Sequence, residues 1–453
     1  MTESRRKELR EKYRLRGSPV IGLTGATIGF FIGFAAVALF GTTAKKFDAL
    51  MHLSPLMLGV LVAIPSLSGS ILRIPFGAWT DKVGARLPML TLLGVSLVGM
   101  AGLTTLLYAS YPSGIGPSDL GLLLFLGALC GAGIATFSVG INQTSYWTSK
   151  TGQGRALGLY GGLGNLAPGI FTLIVPTALV VVGLPGAYAV WLIVLATGTL
   201  LYALVARNSF WFQLRRAGLP SEAARSVAAE MGQELFPSGN LVDSLKVSMR
   251  NPRTWALVIL YFTSFGGFLA LTSWLPTFWS SDYKIATLTA AYMTAAGFAL
   301  LSPLLRVGGG YLSDRSGGED VALLGFGVLL AGSLVVVLLT GEWTSLAGLV
   351  LMGTGMGLAN AAVFKLVPKF VPEAVGGASG WVGGIGATSG FLLPPLLGAI
   401  VSVYGQEGYT LGFLVFAALA VISLGVAWGL HRQSAETARS SPRAVGGSSA
   451  RGS

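Results

Sequence analysis

Cysteine is nearly absent. Cys130 stands alone in 453 residues, so no disulfide framework holds this chain. Histidine is almost as scarce, with only His52 and His431, and no run of residues resembles a metal site. There is no cofactor fingerprint, phosphate-binding loop or nucleophile–base pair, which argues against an enzyme and leaves no cofactor to expect. Charge is thin too, at 11% of residues. The sharpest absence concerns acids: no Asp or Glu falls midway along any long apolar run. Asp81 and Asp314 stand at the ends of such runs, while Asp48, Asp119, Asp282, Glu342 and Glu407 stand outside them. A cation carrier, or a carboxylate-driven proton symporter, would normally keep an acid at that depth.

Apolar residues fill the space that charge leaves. At 53% hydrophobic and a mean hydropathy of +0.70, with runs long enough to cross a bilayer, the chain reads as an all-α polytopic membrane protein. Its 65 glycines suit closely packed membrane helices. Twelve spans are expected, at 20–44, 54–79, 87–109, 119–147, 154–182 and 186–206, then 253–279, 286–312, 320–340, 344–371, 375–403 and 408–431. They form two six-span halves, 20–206 and 253–431, joined by a polar linker over 207–252. Residues 1–19 form a basic leader without a signal-peptide cleavage site, and 432–453 a Ser-, Arg- and Gly-rich tail expected to be disordered.

The net charge of +12 would suggest nucleic acid in a soluble protein; here it follows topology, and no nucleic-acid partner is expected. With both ends and the linker on one side, the opposite loops hold only Lys45, Lys46 and Lys284. The spans hold Arg73, Arg306 and Lys365, which leaves 24 of the 30 Lys and Arg on the first side. That bias predicts cytoplasmic termini and a multi-pass protein of the cell membrane.

One segment organises the rest. In Gly69–Arg86 an apolar helix carries Arg73 and then leaves the membrane through Gly77, Asp81, Lys82, Gly84 and Arg86. The pattern returns, at one constant offset, as Arg306, Gly310, Asp314, Arg315 and Gly317. Each arginine precedes its aspartate by eight positions, roughly 12 Å at helical rise, which sets it near the membrane centre. A cation there is costly and marks a functional site. With basic and neutral groups alone inside the spans, the cavity should favour an anion.

Two spans carry glycine faces. The fifth has Gly158, Gly161, Gly162, Gly164, Asn165 and Gly169; the eleventh has Gly376, Gly380, Gly383, Gly384, Gly386 and Gly390. Close packing explains most such glycines, but Asn165 sets an amide among them that must be satisfied somewhere in hydrocarbon. Phe137, Tyr261 and Phe265 are aromatics flanked by small residues, read either as packing or as a cavity wall. Lys365, with Asn360 nearby, is either a titratable cavity residue or a snorkelling one.

Twelve spans, a central linker and the duplicated Gly-x-x-x-Asp-(Lys/Arg)-x-Gly turn resemble the major facilitator superfamily. The glycine-rich fifth and eleventh spans resemble the paired signature of its nitrate/nitrite porter family. The resemblance implies that Arg73 and Arg306 clamp the anion, with Asn165, Gly164, Gly383 and Gly384 in the signature segments, Phe137 on span 4, and Tyr261 with Phe265 on span 7. The stretch Asn360–Pro368 is similar to the nitrate/proton symporter branch, which makes Lys365 the candidate for proton coupling. Pro168 departs from the pattern and is expected to kink span 5. Nitrate and nitrite are thus the expected substrates, with protons the expected co-substrate and a monomer in the lipid bilayer the expected working unit. Nitrate/nitrite exchange is the alternative mechanism; a nitrate sensor and a carrier of another small anion are more distant ones.

The physics agrees with that implication. A guanidinium is a planar fork of donors matched to oxyanions and stays charged at any working pH. Two of them from opposite halves can grip one planar anion about which the halves rock.

Overall fold

The computed structural model describes residues 3–149, 151–237 and 241–440, and among these there is no strand. Eleven helical runs are long and apolar enough to cross a membrane. Ten are single spans: Pro19–Ala38, Pro55–Val83, Arg86–Ser110, Pro117–Trp147, Pro252–Asp282, Thr287–Ser316, Gly318–Leu338, Glu342–Phe370, Pro372–Tyr404 and Glu407–Glu436. The eleventh, Gln153–Val205, is two spans. Gly183, two residues before Pro185, adopts φ 71° and ψ −178°, reversing the chain where no residue with a Cβ would follow easily. The fold therefore has twelve spans, numbered here 1–12 in chain order, in two six-span halves.

Two expectations need correction. Span 1 ends at Ala38, not 44, and Ala44–Met51 forms a separate short helix. Gly41 lies in the turn between them; a Cβ there would sit 2.6 Å from the Ser273 carbonyl oxygen of span 7. Span 12 runs on as helix to Ser440, so 433–440 are not disordered, and residues 441–453 lie outside the described ones. The linker is largely helical, with Phe210–Arg216, Ser221–Glu230 and Leu241–Arg250.

The halves meet along three seams: span 2 on span 11, span 5 on span 8, and span 1 on span 7. On the side away from the linker these seams close to backbone contact. A Cβ on Gly59 would lie 2.4 Å from the Pro394 carbonyl, and one on Gly398 would lie 2.1 Å from that of Pro55. Only glycine permits such an approach, and dispersion between backbones then replaces side-chain packing. The Lys45 ammonium adds a hydrogen bond to the Ser280 carbonyl oxygen across the seam between spans 1 and 7. Below this seal, Phe34 of span 1 stacks on Phe265 of span 7 at 6.0 Å. The molecule is thus shut on one side and open on the side that carries the linker.

Candidate functional site

A cavity of about 500 Å³ runs from mid-span depth towards the linker side, between the halves. Its charged lining residues are Arg73, Arg306 and Asp81.

The helix of span 2 is interrupted at Leu72, between Pro55–Ile71 and Arg73–Val83, so Arg73 begins the second piece. Arg73 is 2% exposed. One terminal nitrogen donates to the Gly383 carbonyl at 2.8 Å, bridging the halves. The guanidinium carbon lies 4.8 Å from the Phe137 ring centre and 4.9 Å from that of Phe265, within cation–π range. Arg306, from the opposite half, approaches the same Phe137 ring at 6.0 Å. The Nε and second terminal nitrogen of Arg73, and one terminal nitrogen of Arg306, are buried donors without a protein acceptor. Buried donors are costly to leave unpaired, and here they cluster around one aromatic ring.

That ring is held from several sides. Phe137 stacks on Phe265 at 5.8 Å and on Tyr160 at 6.3 Å, with Phe364 edge-on at 6.3 Å. Phe265 lies in a π-helical turn, Phe262–Gly266, whose Phe262 carbonyl accepts both from the Gly267 N–H and from the Ser389 hydroxyl of span 11. Tyr261 stacks on Phe265 at 4.8 Å, and its buried hydroxyl is within electrostatic reach of both guanidiniums.

The expected site residues separate into two groups. Arg73, Arg306, Phe137, Gly383 and Gly384 line the cavity, and Tyr261 and Phe265 back its aromatic wall. Asn165 is buried but not on the lining: its amide donates to the Gly161 carbonyl at 2.6 Å, and Gly161 is the residue that faces the cavity. The Asn165 side-chain oxygen has no partner. Gly164 packs against Phe30, whose ring a Cβ would meet at 1.8 Å, so it serves helix approach. Span 5 breaks at Leu166, two residues before Pro168.

Lys365 does not reach the cavity. Its ammonium pairs with Asp314 at 2.7 Å and also bonds the Ser313 carbonyl, at the linker-side end of span 8. Its neighbour Phe364, one step of about 100° around the helix, faces the cavity instead. Phe364 and Tyr160 were not expected here; the hints were a lone tyrosine within a glycine face and an aromatic beside the lysine that drew attention. Asp81 was expected only in the turn, yet it also lines the cavity, accepting from Tyr146 at 2.6 Å and Asn142 at 3.2 Å.

Comparison with known proteins places this geometry among carriers. Residues 21–342 and 293–452 match the Major Facilitator Superfamily. The chain is 31% identical to the probable nitrate/nitrite antiporter NarK1 of Thermus thermophilus, over 88% of each chain. It is 29% identical to the nitrite extrusion protein of Bacillus subtilis (89% and 92% covered) and 25% identical to the probable nitrate transporter NarT of Staphylococcus epidermidis (89% and 95% covered). Among solved structures, the xylose transporter XylE from E. coli, in a partially occluded inward open conformation, superposes with a TM-score of 0.69 at 14% identity, covering 91% of this chain and 99% of that one. That likeness is one of fold.

Proposed function

The chain belongs to the Major Facilitator Superfamily, in its nitrate/nitrite porter family, and from that premise we propose that it carries nitrate and nitrite by alternating access around Arg73 and Arg306. The observation that carries the reading is the pair of guanidiniums, one from each half, converging on Phe137 with unspent donors. A planar oxyanion would take those donors at its edge and lay its flat surface against the ring. Two fixed cations over-compensate one anion, so the empty site resists reorientation and the filled one moves. Asn165 acts in this reading through Gly161, whose carbonyl it holds. The linker side is cytoplasmic by its cations, which makes the structure inward-facing, and the working unit is one chain in the bilayer.

For energy coupling, nitrate uptake with a proton is the first reading, with Lys365 as the proton carrier. Exchange of nitrate for nitrite is the second, and it is favoured by the placement of Lys365 on Asp314, outside the cavity. Nitrate uptake by purified protein in liposomes tests both. A proton gradient alone should drive accumulation if uptake is symport; accumulation only with nitrite supplied inside would establish exchange. No nitrate flux under either condition would remove nitrate as the substrate.

A further inference from the structure

A second cavity, of about 760 Å³, lies outside the nitrate pathway, between the N-terminal helix Glu3–Lys12, the linker and the end of span 4. We propose that it binds a phosphate-bearing organic anion.

The walls are built, not incidental. The N-terminal helix is anchored by Leu9, which is buried with Leu15, Phe210, Leu214, Ala224 and Ala228 in a small apolar cluster separate from the main core. Arg5 pairs with Glu230 at 3.8 Å, and the Arg16 and Gln213 backbone and amide groups exchange two hydrogen bonds at 2.9 and 2.7 Å. This docking turns Arg6, Lys7 and Arg10 onto one side of the cavity. Tyr146, Trp147 and Phe210 line the same cavity, Trp147 and Phe210 packed edge to face at 4.9 Å, and the Arg10 guanidinium lies 5.7 Å from the Phe210 ring centre while donating to the Gly17 carbonyl at 3.3 Å. No carboxylate lines the cavity among the described residues.

Three cations and an aromatic wall define the ligand's chemistry. The cations select an anion of more than one charge, and Arg and Lys both suit phosphate. Bare phosphate would leave most of this volume unfilled, since ligand pockets of roughly 300–1,000 Å³ take whole small molecules; the aromatic wall calls for an organic portion. The carbonyls that end the helix Ser221–Glu230 would repel an anion if free. Three of them, on Val227, Ala228 and Ala229, already accept from the backbone N–H groups of Met231, Gln233 and Gly232. The cavity lies where Pro19 starts span 1 and Trp147 ends span 4, at the membrane interface. The phosphate ester can therefore come from a soluble metabolite or from an anionic lipid headgroup. Tyr146 connects the two cavities: it lines this one, and its hydroxyl donates to Asp81, which lines the central one.

The test uses the full chain and two probe arms. Thermal unfolding is followed in neutral detergent with AMP or glycerol 3-phosphate, and in phosphatidylcholine nanodiscs with and without phosphatidylglycerol. Stabilisation by the soluble esters, by the anionic lipid, or by both supports the site and identifies the source. In R6Q/K7Q the apparent affinity for the soluble ester should fall roughly thirtyfold, at about one fivefold step per cation, and the lipid gain should vanish. The control is Arg216→Gln, which removes an exposed linker cation that does not line the cavity and should keep the response. No stabilisation by either probe class overturns the proposal, and so does an equal response in R6Q/K7Q. An Arg216→Gln response as weak as that of R6Q/K7Q also overturns it. Because nitrate is not a reagent in these measurements, their failure is independent of the nitrate reading.

Discussion

The two halves carry the same turn and hold it in opposite ways. In the first half Asp81 is half-buried, lines the central cavity, and accepts from the neutral donors of Tyr146 and Asn142. In the second half Asp314 has a 75% exposed side chain and meets the ammonium of Lys365. The glycines that follow differ likewise. Gly84 (φ 85°, ψ 166°) presses on Asn208, whose side chain accepts from the Arg86 N–H and donates to the Val83 carbonyl. Gly317 (φ 96°, ψ 147°) has open space, with its nearest neighbour 3.8 Å from a built Cβ. A repeated motif therefore specifies a backbone path, since both glycines occupy conformations nearly closed to other residues. It does not specify the interactions that brace that path. The first turn is held in its half by part-buried hydrogen bonds from neutral donors; the second is clasped by an exposed ion pair that can open.

The arginines give the largest expected effect. Arg73→Lys and Arg306→Lys should each abolish or nearly abolish nitrate transport in liposomes, because a point ammonium cannot reproduce the fork. Arg73→Lys should also lower the unfolding temperature, since it alone hydrogen-bonds the opposite half through Gly383. Near-wild-type nitrate affinity in either variant would remove that residue from the site, and equal stability losses would erase the difference between the halves.

Next come the turn glycines. Gly84→Ala should cost about 3 kcal/mol, combining backbone strain with displacement of Asn208, and Gly317→Ala about 1 kcal/mol from strain alone. Thermal unfolding in detergent reads both, and equal costs would break the comparison. Tyr146→Phe removes a hydrogen bond to a charged group and should cost about 2 kcal/mol; a loss below that of Asp314→Asn would show that the first turn is not held as described. Smallest is the exposed clasp. Asp314→Asn and Lys365→Met should each cost under about 1 kcal/mol and lose even that at high salt. If Lys365 carries the proton, Lys365→Met should instead be conspicuous in transport, losing its response to a pH gradient while nitrate still binds.

Much was legible in order of residues because hydrocarbon imposes local rules. Span number and the two halves follow from runs of apolar residues, a property of consecutive positions. The arginines stood out because a buried cation has few structural excuses. Other features depended on which face of each helix meets which neighbour. Phe364 and Lys365 are adjacent in sequence, yet one enters the cavity and the other leaves for Asp314. Asn165 looked like a ligand, but a local carbonyl was nearer. The linker read only as a polar stretch; the apolar partners that pack its helices, Leu9 and Leu15, lie far away in sequence. Side-chain periodicity lists candidates for a membrane cavity; only the packing of twelve helices decides which of them share it, since that choice rests on contacts between residues hundreds of positions apart.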